Sequence, residues 1–274
     1  MEPESIFALA AAPGTRACYA ATGAGLWQMN AKGKWRQIAP QFAPVTLTAV
    51  VAQASTVIIG ANGDIAVSRD NGENFGLATL PVRAQVLALA LSPAFEQDGV
   101  VLAATTQDGV LRSIDGGASF FAWNFGLLDL HVNAIAFSPG FSDDNTAFAA
   151  TDHAVFASLN GGRAWRELPV PADAAPFTSL IVDDAHTLVI GTEGHGLWRC
   201  PAPHTQVERV EAFKPVEVNA LCGGPLTVAT TDGIYVQNGK RWRRVSAETD
   251  AVCLARNGAA LLAGTVESGV QTIG

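Results

Sequence analysis

The chain has 274 residues, of which 49% are hydrophobic and 15% are charged, so it can bury a large core and is not a disordered chain. Its 17 Lys and Arg residues against 25 Asp and Glu residues give a formal net charge of −8, which argues against a nucleic-acid-binding surface. No apolar run reaches the roughly 18 residues that a membrane-spanning helix needs, so membrane insertion is not expected.

The beginning of the chain, Met1-Glu2-Pro3-Glu4-Ser5, is acidic where a secretory leader is basic, and the sequence therefore predicts a cytoplasmic location. The four cysteines show no spacing typical of a metal site. Two interpretations of them stay open. They are small buried thiols in a reducing compartment, or Cys222 and Cys253 form a bridge between neighbouring inner strands.

Seven similar units follow one another along the chain. The residue after the internal turn of each unit recurs at intervals of about 36 to 45 residues, the range of four-stranded propeller blades. Within a unit the apolar residues recur with a period of two, and 27 glycines and 14 prolines interrupt any helical pattern. The sequence therefore predicts an all-β fold, a seven-bladed β-propeller of four-stranded antiparallel blades. The residues that mark the repeat are Leu26, Ile65, Val110, Val155, Leu197, Ile234 and Val270.

A single domain over residues 1–274 is expected, with approximate blades at 5–40, 45–82, 85–125, 131–170, 177–213, 216–247 and 250–274. The last unit contains only three apolar runs, at 251–254, 261–264 and 270–273, and few residues precede the first inner strand. We therefore predict a three-stranded seventh blade with an open edge at Val270–Ile273. Open edges pair with other strands, so this edge is a candidate site for strand addition by a partner.

Three units carry the pattern Ser-x-Asp/Asn-x-Gly-x-x-aromatic between the predicted third and fourth strands. A short Asp or Asn side chain at a tight turn accepts backbone N–H groups, and the glycine takes the positive φ of the turn. The ring is expected to pack between neighbouring blades. The pattern thus predicts structural turns rather than catalytic carboxylates. Its residues are Ser68, Asp70, Gly72 and Phe75; Ser113, Asp115, Gly117 and Phe120; and Ser158, Asn160, Gly162 and Trp165.

This pattern resembles the Asp-box (BNR) repeat of sialidase-like β-propellers. Sialidase chemistry in that family uses a tyrosine nucleophile with an acidic partner, three arginines that hold a carboxylate, and an Arg-Ile-Pro signature. Tyr19 and Tyr235 fall at predicted packing positions, and the Arg-Ile-Pro signature is missing. The sequence therefore weighs against an enzyme, and no cofactor is predicted.

The compact blades are similar to the non-catalytic photosystem assembly-factor propellers and to the YVTN/WD-repeat-like group. That resemblance implies a protein-binding scaffold or assembly factor, with another protein as the partner. The alternative is a glycan-binding or glycoside-hydrolysing, sialidase-like propeller, since the fold alone does not fix the function.

The predicted second-to-third strand turns open on the face opposite the Ser-x-Asp turns. Six of them carry a carboxylate, and such a ring would attract a cationic ligand or a basic peptide. The alternative is that these are ordinary turn residues that point into water. His153 and His195 lie beside two of the acids, but the turns of adjacent blades diverge, so no metal site is predicted. The six acids are Asp64, Asp108, Asp152, Glu193, Asp232 and Glu267.

The connections between blades, which include Arg83, His131 and Lys214, reach the same face. One of them, residues 121–130, is unusually apolar for a connection. An exposed apolar patch marks an interaction site, whereas the same segment tucked over its own blade would only complete the core. Both interpretations stay open.

Overall fold

A computed structural model describes residues 3–15, 17–213 and 215–273. These residues form 27 strands in seven sheets, of which six have four strands and the last has three. In every sheet the strands pair antiparallel and in chain order. The first strand of each sheet contacts the first strand of the next, and β1 (Ile6–Ala11) also contacts β25 (Ala251–Asn257), which closes the ring. The predicted seven-bladed propeller and its three-stranded seventh blade are confirmed.

The strands are short and follow one another from the central axis outward in each blade. Blade 1 contains β1 (Ile6–Ala11), β2 (Cys18–Thr22), β3 (Gly25–Met29) and β4 (Trp35–Ile38). Blade 2 contains β5 (Leu47–Gln53), β6 (Thr56–Ala61), β7 (Ile65–Ser68) and β8 (Gly76–Leu77). Blade 3 contains β9 (Val86–Leu91), β10 (Val101–Thr105), β11 (Val110–Ser113) and β12 (Phe121–Ala122). Blades 4 and 5 contain β13 (Val132–Phe137), β14 (Ala147–Thr151), β15 (Val155–Ser158) and β16 (Arg166–Glu167); and β17 (Phe177–Val182), β18 (Leu188–Thr192), β19 (Leu197–Cys200) and β20 (Glu208–Arg209). Blades 6 and 7 contain β21 (Val218–Cys222), β22 (Thr227–Thr230), β23 (Gly233–Asn238) and β24 (Arg241–Ser246); and β25 (Ala251–Asn257), β26 (Ala260–Thr265) and β27 (Val270–Ile273).

The second strands form the best-buried layer, because they are covered by a neighbouring strand on each edge and by a blade on each face. Every residue of β10, β14 and β18 is buried. Each inner strand has an irregular register near its first residues. In blades 2, 4 and 5, the inner-strand residue that the register skips donates a side-chain hydrogen bond to the next blade. Thr48 Oγ1 donates to the Val86 carbonyl (2.5 Å), Asn133 Nδ2 to the Phe177 carbonyl (3.0 Å), and Thr178 Oγ1 to the Val218 carbonyl (2.6 Å).

The three Ser-x-Asp/Asn turns share one hydrogen-bond pattern. In blade 3 the Ser113 hydroxyl donates to Asp115 Oδ1 (2.7 Å) and accepts the backbone N–H of Gly117 (2.9 Å). Asp115 Oδ1 also accepts the N–H of Ser119 at 2.9 Å. Blades 2 and 4 repeat these bonds with Ser68 and Asp70, and with Ser158 and Asn160. The carboxylates of Asp70 and Asp115 therefore have their acceptors occupied within their own turns.

The rings that follow these turns pack against the preceding blade. Phe120 is 1% exposed in a cluster with Ile58 and Ile65 of blade 2, and Trp165 is 5% exposed in a cluster with Leu102 of blade 3. Phe75 is only partly buried, against the cluster shared by blades 1 and 2. Burial of these large rings links adjacent sheets by apolar contact.

Helical structure is confined to single turns in the connections. Two four-residue helices, α1 (Phe95–Asp98) and α2 (Phe141–Asp144), lie between the first and second strands of blades 3 and 4. Helices of four residues are too short to produce helical periodicity in the sequence. Local bonds hold them instead, since the Ser92 hydroxyl donates to Asp98 and the Ser138 hydroxyl donates to Asp144. No helix among the described residues is long and apolar enough to cross a membrane.

Apolar side chains, without a shared strand, join the first blade to the seventh. Ile6 is fully buried and packs with Trp27, Cys253 and Val270.

All four cysteines are free thiols, so the Cys222–Cys253 bridge is not formed. Burial raises the pKa of the Cys18 and Cys253 thiols to about 12, which keeps both protonated and unreactive at neutral pH.

Candidate functional site

Buried threonines hold the second-to-third strand turns, which form one face of the propeller. In six blades the second strand ends in a threonine whose hydroxyl donates to a carbonyl across the turn and accepts a backbone N–H within it. Each of these side chains is at most 1% exposed. The threonines are Thr22, Thr105, Thr151, Thr192, Thr230 and Thr265. Their hydroxyls satisfy the turn from inside, which leaves the outer residues of the turn free to face solvent.

Three of the six predicted acids are engaged by neighbours. Asp64 Oδ1 lies 3.8 Å from Arg83 Nη1. The Asp232 carboxylate accepts the Tyr235 hydroxyl at 2.5 Å and lies 4.0 Å from an Arg244 nitrogen. Asp152 is held by two side chains, described below. Asp64 and Asp232 therefore carry less unbalanced negative charge than the sequence suggested, because their arginine partners come from elsewhere in the chain.

Asp108, Glu193 and Glu267 are different. Among the described residues, no side chain forms a hydrogen bond or an ion pair with their carboxylates. Glu193 and Glu267 are exposed, and Asp108 is half-buried. The free carboxylates among the six predicted acids thus lie in blades 3, 5 and 7, and they do not form a continuous ring of six.

Two crossed histidine–aspartate pairs join the blade 3–4 connection to the turn of blade 4. His153 Nδ1 lies 2.9 Å from Asp129 Oδ2, and His131 Nδ1 lies 3.5 Å from Asp152 Oδ2. Asn133 Nδ2 donates to the other oxygen of Asp152 at 2.9 Å. The hydrogen bond and the charge of Asp129 raise the pKa of His153 above its ordinary value. His153 is therefore protonated up to a higher pH than an isolated histidine.

His153 and His195 do not come together around an ion. In the part of the chain that the structure describes, no group of three or more His, Cys, Asp or Glu side chains is arranged to hold a metal. His153 is instead bound to Asp129, and His195 is an exposed turn residue of the adjacent blade. Lys214 lies outside the described residues.

Both interpretations of segment 121–130 apply, to different side chains. Leu127 is buried and completes the core between blades 3 and 4. The other large apolar side chains are exposed, at 82% for Phe125 and Leu128 and between 39% and 61% for Trp123, Leu130 and Phe121. These five exposed side chains, called the apolar patch below, belong to a segment that begins on the outer strand β12 and ends beside Asp129, which bonds to His153 of the blade 4 turn.

The backbone of this apolar patch is fixed on both sides. The Phe125 carbonyl accepts the backbone N–H of Trp165 at 2.8 Å, and the Trp123 carbonyl accepts the Trp165 indole N–H at 2.8 Å. Asn124 bonds to the backbone of Asp108 and Val110 through its amide group. These bonds hold the main chain of the segment in place, so its exposed side chains project from a fixed backbone.

A second feature is a groove of about 340 Å³ between blades 5 and 6, lined by residues that include Phe213, Asp232 and Tyr235. The sequence assigned Tyr235 to packing, and its ring does pack edge-on against Phe213 at 5.3 Å. Its hydroxyl, however, points to Asp232 and into the groove. The bond to Asp232 and partial burial raise the pKa of the Tyr235 phenol, so it stays protonated at neutral pH. Tyr19, in contrast, is buried and donates to the Asn71 carbonyl at 3.1 Å.

No protein-family model matches the chain, and no curated protein matches it. Solved structures do match over nearly the whole chain. The GH74 xyloglucanase of Xanthomonas campestris has a TM-score of 0.81 at 16% identity over 98% of this chain. The extracellular domain of BT4673, a putative one component system of B. thetaiotaomicron, has a TM-score of 0.79 at 16% identity over 98% of this chain. YCF48 bound to D1 peptide has a TM-score of 0.74 at 11% identity over 99% of this chain.

These likenesses show the fold alone. The chain spans 38% of the solved BT4673 extracellular-domain chain, 52% of the xyloglucanase chain and 91% of the YCF48 chain. The three proteins differ in their described roles, so the fold is compatible with catalysis, sensing and peptide binding, and the function has to be argued from the site.

Proposed function

We propose that the protein is a non-catalytic β-propeller that binds another protein through the apolar patch of residues 121–130 and the acidic turns beside it. The observation that carries this proposal is the exposure of five large apolar side chains within ten residues on a backbone that is fixed by hydrogen bonds. Exposed, ordered apolar groups that are bordered by polar groups are typical of protein interfaces.

The neighbouring charges favour a partner segment that combines apolar and basic residues. Asp108 lies beside the patch, since its backbone carbonyl accepts the side chain of Asn124, and none of the described side chains bonds to its carboxylate. Glu193 and Glu267 add free negative charge on the same face of other blades. Electrostatic attraction of this kind raises the association rate and favours cationic sequences. The likeness to a propeller that is bound to a peptide supports the same class of partner.

Selection from a phage-displayed library of random dodecapeptides tests the proposal. We expect enriched sequences to contain aromatic or aliphatic residues together with Lys or Arg. Phe125→Ser combined with Leu128→Ser should weaken their binding at least about tenfold. Leu77→Ser combined with Ile114→Ser is the matched control, because these side chains are similarly exposed, at 69% and 63%, but lie elsewhere. Equal binding by the two double variants would contradict the proposal.

The acidic contribution is tested separately. Asp108→Asn, Glu193→Gln and Glu267→Gln together should lower the affinity for the selected basic peptides and flatten its dependence on salt. Glu96→Gln, Asp143→Asn and Asp184→Asn remove the same three charges from exposed positions on the opposite face. If both triple variants reduce binding equally, only net charge matters and the acidic turns have no specific role.

Glycan recognition is the second candidate, and the Tyr235 groove supports it. An aromatic ring beside a carboxylate in an open groove is an arrangement that can stack and hydrogen-bond a sugar. The phenol of Tyr235 is protonated, and Arg244 is the one arginine among the described residues that forms an ion pair with Asp232, which argues for binding without hydrolysis. A glycan array and a set of fluorogenic glycosides, each used with the wild-type protein and with Tyr235→Phe, test glycan recognition. Specific glycan binding that the variant loses would support this function. Turnover of a glycoside would show that the protein is an enzyme.

A further inference from the structure

Blade 7 differs from the other six blades at its outer edge. Each of the other blades has a fourth strand of two to six residues on the outer edge of its third strand. Within the described residues, β27 pairs only with β26. Backbone N–H and C=O groups alternate between the two edges of a strand, so half of those in β27 face outward without a strand partner.

The space beside β27 also lacks a ring that other blade interfaces have. Aromatic side chains at or near the start of the fourth strand fill the gap to the preceding blade in five blades: Trp35, Phe75, Phe120, Trp165 and Trp242. The described cluster between blades 6 and 7 contains no aromatic residue. Val236, Val245 and Ile273 are only partly buried there, so an incoming apolar side chain would find apolar neighbours.

Two arginines border this space. Arg241 and Arg243 on β24 are exposed, and among the described residues neither guanidinium forms a hydrogen bond or an ion pair. Arg243 pairs with Val236, which belongs to the cluster between blades 6 and 7. Trp242, which lies between Arg241 and Arg243 in the strand, packs toward blade 5. Because side chains alternate along a strand, both arginines lie on the side of β24 that faces blade 7.

The other end of the space carries the opposite charge. Glu248 lies in the connection that follows β24, close to Asp250 and Gln271, and the neighbouring Asp250 raises the pKa of the Glu248 carboxyl group. β24 begins at Arg241 and β27 ends at Ile273, and both of these ends lie on the face of the third-to-fourth strand turns. A strand antiparallel to β27 would therefore pass the arginines with its N-terminal half and the acidic pair with its C-terminal half.

We propose that the outer edge of β27 binds an extended segment of a partner protein, which adds antiparallel to blade 7 as its fourth strand. The segment has acidic residues in its N-terminal half and an apolar or aromatic residue that inserts toward blade 6. Main-chain bonds to β27 supply the affinity, and the arginines and the gap select the sequence. This site lies on blades 6 and 7, apart from the patch of residues 121–130, so it does not depend on the proposed function.

The test uses a fluorescein-labelled peptide, Glu-Thr-Glu-Thr-Phe-Thr-Val, whose acidic and apolar residues alternate onto the blade 6 side. Binding to the full chain is measured by fluorescence anisotropy. We expect saturable binding that is weakened at least about tenfold when both Glu are replaced by Lys, and abolished when alternate backbone nitrogens are methylated. The methylated peptide tests main-chain pairing without any change to the protein.

Protein variants give the matching test. Arg241→Glu with Arg243→Glu should weaken binding of the Glu peptide and strengthen binding of its Lys counterpart. Arg83→Glu with Arg166→Glu, exposed arginines of the connection between blades 2 and 3 and of blade 4, should change neither. Equal affinity for the Glu and Lys peptides, or binding of the methylated peptide, would overturn the proposal. A Thr272→Cys variant tests whether a second copy of the chain occupies the edge. If it oxidises to a disulfide-linked dimer and the protein binds no peptide, the proposed partner segment would be overturned as well.

Discussion

The Ser113 hydroxyl satisfies two turn atoms at once, since it donates to Asp115 and accepts the N–H of Gly117. Gly117 is buried, so water cannot replace that hydroxyl. A polar group left buried and unpaired costs more than the net worth of one hydrogen bond. The identity of a single side chain therefore decides whether the turn closes.

Ser113→Ala is expected to lower the free energy of unfolding by about 1–3 kcal/mol, because the Gly117 N–H loses its acceptor. Chemical denaturation monitored by tryptophan fluorescence measures the change. Ser142→Ala is the control, since Ser142 is exposed in α2 and its loss should change stability by less than about 0.5 kcal/mol. Similar effects of the two substitutions would mean that the turn tolerates the unpaired group.

The Asp70 carboxylate should make blade 2 sensitive to acid. The Asn74 N–H, the Ser68 hydroxyl and the Asn74 amide hydrogen-bond to Asp70 and lower its pKa from 3.8 to about 2. Because the folded pKa is lower than the unfolded one, the stability that it contributes is present above pH 3.8 and is lost as the pH falls through about 2.

Carbon-detected NMR should place the Asp70 midpoint well below 3.8, and Asp70→Asn should reduce the acid sensitivity of unfolding. Asn160 occupies the equivalent position in blade 4 and accepts the same backbone N–H groups, so the variant turn is expected to fold. An Asp70 midpoint at the ordinary value would contradict the assigned bonds.

At the scale of elements, the segment 121–130 shows how a connection between blades becomes a rigid surface. Gly126 lies so close to blade 4 that a Cβ atom built on it would contact the Trp165 carbonyl oxygen, and its φ is +81°. The glycine thus allows the chain to turn while its neighbours bond to Trp165. The exposed rings on either side owe their position to this contact.

Gly126→Ala is expected to destabilise the protein by about 1–3 kcal/mol more than Gly194→Ala. Gly194 has a similar φ of +88° but nothing near its missing Cβ, so its substitution carries only the cost of the left-handed conformation, about 1–2 kcal/mol. Thermal unfolding of both variants separates the steric cost from the conformational one. Equal effects would show that the segment can move away from Trp165.

The His153–Asp129 pair ties the same connection to the blade 4 turn in a pH-dependent way. Its hydrogen bond raises the pKa of His153, so the stabilisation is complete below the ordinary pKa of 6.5 and is lost as the pH rises through the raised value. Proton NMR should place the His153 midpoint above 6.5, and Asp129→Asn should lower it. Asp184→Asn, a control far from the pair, should leave the midpoint unchanged.

At the scale of the whole molecule, the ring is closed by packing between blades 1 and 7. Ile6→Ala should therefore lower the free energy of unfolding by about 2–5 kcal/mol, since Ile6 is fully buried against blade 7. Leu77→Ala, at an exposed site, should have little effect. Hydrogen exchange should increase first in β1 and β25 of the Ile6 variant; a uniform increase in all blades would mean that the interface does not open separately.

The sequence predicted this architecture because repeats, period-two apolar runs and glycine-rich turns are local patterns. It could not predict which acids are neutralised, since Asp64 meets Arg83 and Asp129 meets His153 only after the blades are in place. The threonine that ends six second strands was a readable signal, but its role required the turn geometry. The cytoplasmic location and the partner remain predictions of the sequence.

Those buried threonines have a consequence for variation. Each closes its turn through the backbone, so closure needs no bond from an outward-facing side chain at the tip. Exposed tip residues whose side chains form no bond among the described residues, such as Glu193 and Glu267, can therefore be exchanged with little loss of stability. A scaffold of this kind lends itself to grafting, in which new recognition sequences are displayed at the tips while the framework of sheets stays as it is.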